Sequence, residues 1–181
     1  MFIDWSVSYC FTRNSFGPVI NFEIPLMNNQ KAYIEHWLDK NSDEYCIVLL
    51  DALAFLGYWG RSGNDDRFPN YHLGGRELWR KDKYFAEAVR SFSVGKEKPS
   101  YLPTDTVILN DASQIRLGGL PGRVFWLLYH NADYIPISVS TRQMAKRLKS
   151  VIGRPYCSIY SFSELRQFYE NEPAEYIPRR F

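Results

Sequence analysis

The sequence predicts a single α/β (α+β) domain in which a mixed sheet is flanked by helices. Three observations favour this class. The chain has 181 residues, close to the usual size of one domain, and 45% of them are hydrophobic, which is enough for one core. Short runs rich in β-branched and aromatic residues alternate with stretches of helical periodicity. The chain contains no internal repeat, so we expect residues 1–181 to form one domain.

The first half of the chain predicts strands, one helix and a long loop. Residues 5–11 and 19–24 are predicted to be strands, and residues 30–40 a helix. Residues 45–50 are predicted to be a third strand, and residues 57–75 a long loop. The helix over residues 30–40 rests on the i, i+4 spacing of Tyr33 and Trp37. The loop is rich in Gly, Asn, Asp and Pro, and long loops in compact domains often carry function.

The second half predicts a helix, a hairpin and a final helix–strand–helix module. The first helix is predicted over residues 77–92, and the two strands of the hairpin over residues 104–109 and 114–117. The final module is predicted as a helix over residues 123–130, a strand over 134–139 and a helix over 142–152. Pro121 suits the first turn of a helix, because its missing N–H has no partner there anyway. Asn131 is expected to cap the same helix in a left-handed conformation. Ser140 or Thr141 is expected to cap the last helix.

Composition excludes several classes of protein. No run of about 18 apolar residues occurs, so no membrane span is expected. The amino terminus does not have the basic and apolar segments of a secretory signal. The three scattered cysteines fit reduced thiols better than a disulfide framework. The sequence therefore predicts a cytoplasmic protein, or one held peripherally at the inner membrane by a partner.

A glycine-rich segment at the start of a predicted helix is the strongest functional signal. It reads Gly118-Gly119-Leu120-Pro121-Gly122-Arg123 and follows a predicted strand. Unpaired N–H groups and the helix dipole attract anions at such a position, and the guanidinium of Arg123 matches phosphate geometry. We therefore expect phosphate binding by Gly118, Gly119, Gly122 and Arg123. The alternative is that the glycines only form a tight turn between a strand and a helix.

The order of motifs around this loop resembles the ParB/sulfiredoxin superfamily. A Pro-x-Asp segment at Pro103–Asp105 precedes the glycine loop, and a helix then leads to the Ile-Pro-containing strand at residues 134–139. The resemblance covers residues 99–150 and is closest to the plasmid fertility-inhibition branch, the Osa-like factors. It implies a ParB/sulfiredoxin-like fold with residues 99–150 as its core module. The loop lacks the cysteine of sulfiredoxins and the acidic residue of partition proteins, so neither of those activities is expected.

The resemblance implies a function for the loop. Members of this branch block conjugative or T-DNA transfer through a type IV secretion system, and the implied activities are ATP hydrolysis and DNA cleavage. By this resemblance ATP or another nucleotide would bind the loop. Arg123 and Arg116 would stabilise charge on the reacting phosphate, and Mg²⁺ would be needed if the reaction is hydrolysis. The implied partners are DNA and the secretion coupling machinery. The alternative is a non-catalytic protein that blocks a secretion-system partner with an aromatic surface, for which Tyr58, Trp59 and Tyr71 are candidates.

A basic helix face is a second candidate site. Arg142, Lys146 and Lys149 fall on one face of the helix over residues 142–152 and are predicted to bind DNA phosphates. The alternative is an ordinary solvated face. The histidines have no zinc-ligand spacing, so a zinc site is not expected. The Asp65-Asp66 pair could hold Mg²⁺ together with Asp105 or Asp111, and the alternative, which we favour, is an ordinary loop of turn residues.

Overall fold

The computed structural model describes residues 7–15, 17–62, 68, 71 and 75–171. The strands are β1 (Ser8–Asn14), β2 (Gly17–Pro25), β3 (Lys31–Trp37), β4 (Cys46–Asp51), β5 (Ser100–Tyr101), β6 (Val107–Leu109), β7 (Ile115–Leu117), β8 (Tyr134–Val139) and β9 (Tyr160–Ser161). The helices are α1 (Ala52–Ser62), α2 (Arg76–Arg80), α3 (Lys83–Phe92), α4 (Pro121–Tyr129), α5 (Arg142–Ile152) and α6 (Phe162–Asn171). The predicted α/β class, with a mixed sheet and flanking helices, is confirmed.

Three sheets organise the described part of the chain. The first has the strand order β1-β2-β3-β5 and is mixed, because β5 runs parallel to β3 while the other pairs are antiparallel. The second has the order β8-β4-β9 and is antiparallel. The third is the predicted hairpin of β6 and β7, in which Ile108 lies opposite Arg116. All six residues of β8 are buried, as expected for a strand covered on both faces.

The segment predicted as a helix over residues 30–40 is a strand, and this prediction is wrong. In β3, Ala32, Ile34 and His36 are buried, and the strand pairs along its whole length with β2. The i, i+4 spacing of Tyr33 and Trp37 misled the prediction, because a separation of four residues keeps one face in a strand as well as in a helix. The β-branched and aromatic residues of this stretch suit the pleated surface.

Two other predicted boundaries also differ from the structure. Helix α1 continues to Ser62, so the predicted loop begins later than residue 57, and most of the remaining loop lies outside the described residues. The helix predicted over residues 77–92 is two helices. The carboxylate of Asp82 accepts a hydrogen bond from the backbone N–H of Tyr84 at 2.7 Å and caps α3, which starts a new helix after α2. Trp5, predicted in the first strand, lies outside the described residues.

His36 connects the first two sheets, and it makes stability depend on pH. Its Nε2 lies 3.1 Å from the carbonyl oxygen of Pro136 in β8, and burial lowers the pKa of His36 to about 4. The unfolded chain therefore binds a proton at this histidine between about pH 6.5 and pH 4, whereas the folded chain does not. The free energy of unfolding falls as the pH drops through this window, because protonation favours the unfolded chain.

We expect this single group to remove roughly 2 kcal/mol of stability between pH 7 and pH 4.5. Urea unfolding of the wild type and of His36→Gln at the two pH values measures the effect. The variant is expected to be less stable at pH 7 but to lose less stability on acidification. Equal losses in the two proteins would contradict a neutral, buried His36.

Candidate functional site

The glycine loop connects β7 to α4. The backbone N–H of Gly118 donates to the carbonyl of Thr106 at 2.7 Å, and that of Arg123 donates to the carbonyl of Leu120 at 3.1 Å. Leu120 has a left-handed φ of 52° and precedes Pro121, which occupies the first turn of α4 as predicted. Gly119 is exposed at the tip. Two of the N–H groups at this turn are thus bound to the chain itself.

Two of the loop glycines permit close backbone packing. A Cβ atom on Gly118 would lie 2.0 Å from the carbonyl oxygen of Asp105, and one on Gly122 would lie 2.1 Å from that of Tyr84. Gly122 thereby lets α4 approach α3 more closely than any other residue would. Gly119 differs, because its Cβ would be 3.7 Å from the nearest side-chain atom, an ordinary contact with Pro103.

The guanidinium of Arg123 is turned toward β5. It is half-buried and donates a hydrogen bond to the backbone carbonyl of Tyr101. Burial lowers the pKa of Arg123, and the nearby carboxylate of Glu87 on α3 acts in the opposite direction. Sequence reasoning missed Glu87 and Tyr101, because neither belongs to a motif. Arg116 is exposed on β7, so the two arginines predicted to be catalytic occupy different environments.

The space beside the loop is small. The cavity between α3 and α4, which Glu87, Leu120 and Arg123 help to line, has a volume of about 20 Å³. A cavity of that size holds about one water molecule. A nucleotide is too large for this cavity, so it would have to lie on the exposed outer surface of the loop. Among the described residues, no group of three or more His, Cys, Asp or Glu side chains is placed to hold a metal ion.

Asp105, in the Pro-x-Asp segment, has a structural role. Its φ is 57°, its N–H donates to the carbonyl of Ser138 at 2.7 Å, and its Oδ1 accepts from the N–H of Ser140 at 3.0 Å. Asp105 therefore ties the loop region to the end of β8, just before α5 begins. Thr141 caps α5 by accepting from the N–H of Met144 at 3.2 Å, as predicted for this position.

Comparison with known protein families shows to which family this chain belongs. A family model described as plasmid fertility inhibition factor matches residues 47–153, more than half of the sequence. The chain belongs to this family. The match begins in β4, includes the glycine loop and ends directly after α5.

The fold of this chain is similar to that of a protein whose crystal structure has been solved. It is titled as the crystal structure of Oncogenic Suppression Activity Protein, a plasmid fertility inhibition factor, in a gold(I) cyanide derivative. The alignment covers 91% of this chain and 84% of the other, with a TM-score of 0.69 and 18% sequence identity. No curated protein sequence matches this chain.

The predicted basic face of α5 is partly used within the domain. Arg142 forms an ion pair of 3.2 Å with Glu164 of α6, and the Nζ of Lys149 donates to the carbonyl of Cys157. Lys146 is exposed between them. The three cations share the predicted side of the helix, and two of them hold the segment that follows α5. DNA binding by this face stays a prediction.

Of the aromatic residues expected to form an exposed surface, Trp59 lies in the core, so the expectation is wrong for Trp59, and Tyr58 and Tyr71 are half-buried. Trp59 is 1% exposed and stacks on Phe125 with ring centroids 6.0 Å apart. Tyr71 is half-buried against Phe125 and donates from its hydroxyl to Asp82 at 2.9 Å. Tyr58 donates from its hydroxyl to the carbonyl of Ser113 at 2.7 Å. Packing against Phe125 of α4 is the reason that the ring of Trp59 is not available to a partner.

A different surface carries the most exposed apolar side chains of the described residues. These are Tyr156 at 96%, Leu53 at 80% and Met27 at 54% exposure. We call these three residues the apolar end. The sequence contained a weak signal for Tyr156, an aromatic residue directly after the helix-ending Gly153 and Pro155. None of the helices in the described ranges is long and apolar enough to cross a membrane.

Proposed function

We propose that this protein inhibits the conjugative transfer of DNA by another element through a type IV secretion system, acting inside the donor cell. Membership of the plasmid fertility inhibition factor family supports this proposal, and so does a fold shared with another such factor. The geometry of the chain best supports inhibition by binding to a protein of the transfer machinery. The observation that carries this mechanism is the apolar end.

The three residues of the apolar end are held together by contacts around Asp133. The N–H of Asp133 donates to the carbonyl of Pro25 at 3.0 Å, and its own carbonyl accepts from the N–H of Ala52 at 3.4 Å. Its carboxylate pairs with Arg154 at 2.6 Å. Met27, Leu53 and Tyr156 lie one or two residues along the chain from these anchors, so their backbones are in the same region of the domain.

The exposure of these side chains indicates an interaction surface. Clustered exposed apolar groups on a soluble domain often mark a binding site, and a partner gains free energy by covering them. Tyr156 has a left-handed φ of 67°, an unfavourable conformation for a residue with a side chain. The nearby charges Asp133 and Arg154 are paired with each other. We therefore expect the partner surface to be mainly apolar.

Mating frequency tests this mechanism. We expect Leu53→Ser combined with Tyr156→Ser to raise transfer from the donor at least tenfold, because the apolar contacts with the partner are lost. The matched control is Val89→Ser, an apolar residue of α3 that is 45% exposed and does not belong to the apolar end. It should keep full suppression. All variants should melt within a few degrees of the wild type, since exposed substitutions change stability by about 0.5 kcal/mol or less.

A second mechanism, ATP hydrolysis and DNA cleavage at the glycine loop, makes the opposite prediction in the same assay. The exposure of Gly119 and Arg116 beside the amino terminus of α4 favours it. Arg123→Ala should then restore transfer, because removing a charge that stabilises a reacting phosphate costs a few kcal/mol. The binding mechanism predicts that Arg123→Ala retains suppression. No suppression by the wild type would contradict fertility inhibition altogether.

A further inference from the structure

Two arginines of α2 lie at the carboxyl end of α4, next to Met27 of the apolar end. The guanidinium of Arg76 donates a hydrogen bond to the Oδ1 of Asn131, and the Nδ2 of the same amide lies 3.5 Å from the Sδ of Met27. Arg80 follows one turn later on the same face of α2, and its Cζ lies 5.9 Å from the centroid of the Tyr129 ring. One side-chain amide thus joins the thioether of Met27 to the guanidinium of Arg76. We call Arg76 and Arg80 the arginine pair.

The chain neutralises the charge of this surface only in part. Residues 76–83 contain four Lys or Arg against two Asp or Glu. A carboxylate oxygen of Glu77 lies 3.8 Å from the Nη1 of Arg80, but these side chains are 76% and 55% exposed, so water screens the ion pair and it is weak. The carboxylate of Asp82 already accepts two hydrogen bonds from within the domain. An excess of positive charge therefore remains around the arginine pair.

Exposed apolar side chains accompany these charges. Met27 is 54% exposed, and Leu78, between the two arginines in the sequence, is 38% exposed. Surfaces that bind DNA are more polar than those that bind proteins, because they face phosphates and sugars. Protein interfaces instead bury apolar side chains at the centre and keep polar groups at the rim, and arginine is enriched in them. The combination of apolar and basic side chains therefore favours a protein partner over DNA.

We propose that the partner covering the apolar end is an acidic protein surface, whose carboxylates bind Arg76 and Arg80 at the rim of the contact. This inference rests on the function proposed above and adds the sign of the partner's charge to it. A guanidinium fits a carboxylate closely, because its N–H groups can donate two parallel hydrogen bonds. The arginine pair attracts and orients the acidic surface, and the apolar side chains hold it. The carboxylate of Asp133 is paired with Arg154 at 2.6 Å, so it repels such a surface little.

Mating frequency from donors that make equal amounts of each variant tests the sign of the partner's charge. We expect replacement of both arginines by Glu to raise transfer at least tenfold, because like charges then repel. Replacement of both by Gln should raise transfer less, and replacement of both by Lys should raise it least. The matched control reverses two exposed cations outside residues 76–83, Arg90→Glu with Lys98→Glu, and should keep full suppression. Equal effects of the Lys and Gln variants, or of the Glu variant and the control, would overturn the proposal.

Two further measurements separate this inference from its alternatives. If Leu53→Ser with Tyr156→Ser raises transfer but the Glu variant of the arginine pair does not, the binding mechanism stands and the acidic partner is wrong. If neither variant raises transfer while the wild type suppresses it, both the binding mechanism and this inference fail. Purified wild type and Glu variant are also titrated with fluorescein-labelled single-stranded and duplex DNA, and we expect equal affinities. DNA binding that only the wild type shows would assign the arginines to nucleic acid and overturn the proposal.

Discussion

Gly122→Ala is expected to destabilise the protein by about 3 kcal/mol, although alanine is the better helix former. The added Cβ would lie 2.1 Å from the carbonyl oxygen of Tyr84 and 2.2 Å from its carbonyl carbon. Both are backbone atoms of α3, so no side chain can rotate away. The helices must separate, and separation loosens the contact between Phe85 and Tyr129, whose ring centroids are 5.4 Å apart. For a chain of this length we expect the melting temperature to fall by roughly 6–12 °C.

The same substitution at Gly119 is the control. Its Cβ would meet Pro103 at 3.7 Å, so Gly119→Ala should melt within about 2 °C of the wild type. Thermal unfolding of the two variants under one condition makes the comparison. If Gly122→Ala were as stable as Gly119→Ala, the close approach of α3 and α4 would be incorrect. The glycine would then be available for another role, such as phosphate binding.

Trp59→Ala is expected to have an effect of similar or larger size, about 3–5 kcal/mol. Trp59 is fully buried and packs against both Phe125 of α4 and Trp79 of α2, with centroid distances of 6.0 and 6.4 Å. Its removal leaves a cavity that rigid neighbours cannot fill. We expect the urea midpoint to fall strongly and any loss of suppression in cells to follow from unfolding.

Two further variants separate folding from function at this helix. Leu53→Ala, at the exposed start of the same helix, should change stability by about 0.5 kcal/mol or less. Trp59→Phe keeps an aromatic ring and removes an indole N–H for which the described residues offer no hydrogen-bond partner, so it should cost much less than Trp59→Ala. A small effect of Trp59→Ala would contradict the buried stack and restore Trp59 as a candidate surface residue.

The glycine loop illustrates how one sequence pattern can have two physical causes. Glycines before a helix permit a phosphate to approach the backbone, and they also permit another backbone to approach. In this chain Gly118 and Gly122 meet Asp105 and Tyr84, and Arg123 donates to Tyr101. The sequence located the residues at this turn, but the atoms that face them belong to distant segments. Phosphate binding at the loop remains a prediction that Arg123→Ala can test.

The strand β3 shows a second limit of sequence reasoning. Tyr33 and Trp37 share one face in a helix and in a strand, so their spacing could not distinguish the two. Pairing with β2 selects the strand, because it satisfies backbone hydrogen bonds along seven residues. Similarly, the exposed position of Trp59 was inferred from loop composition, and packing against Phe125 of α4 reverses it.

The sequence by itself determined the α/β class, the β6–β7 hairpin, the start of α4 at Pro121, the bounds of α5 and the resemblance to fertility inhibition factors. These features depend on local signals, namely caps, turn residues and short-range periodicity. Only the tertiary structure decided that Gly122 packs against Tyr84, that Trp59 is buried, and that Leu53 and Tyr156 are exposed. These properties depend on which distant atoms the packed core brings together, and no local pattern of residues specifies that.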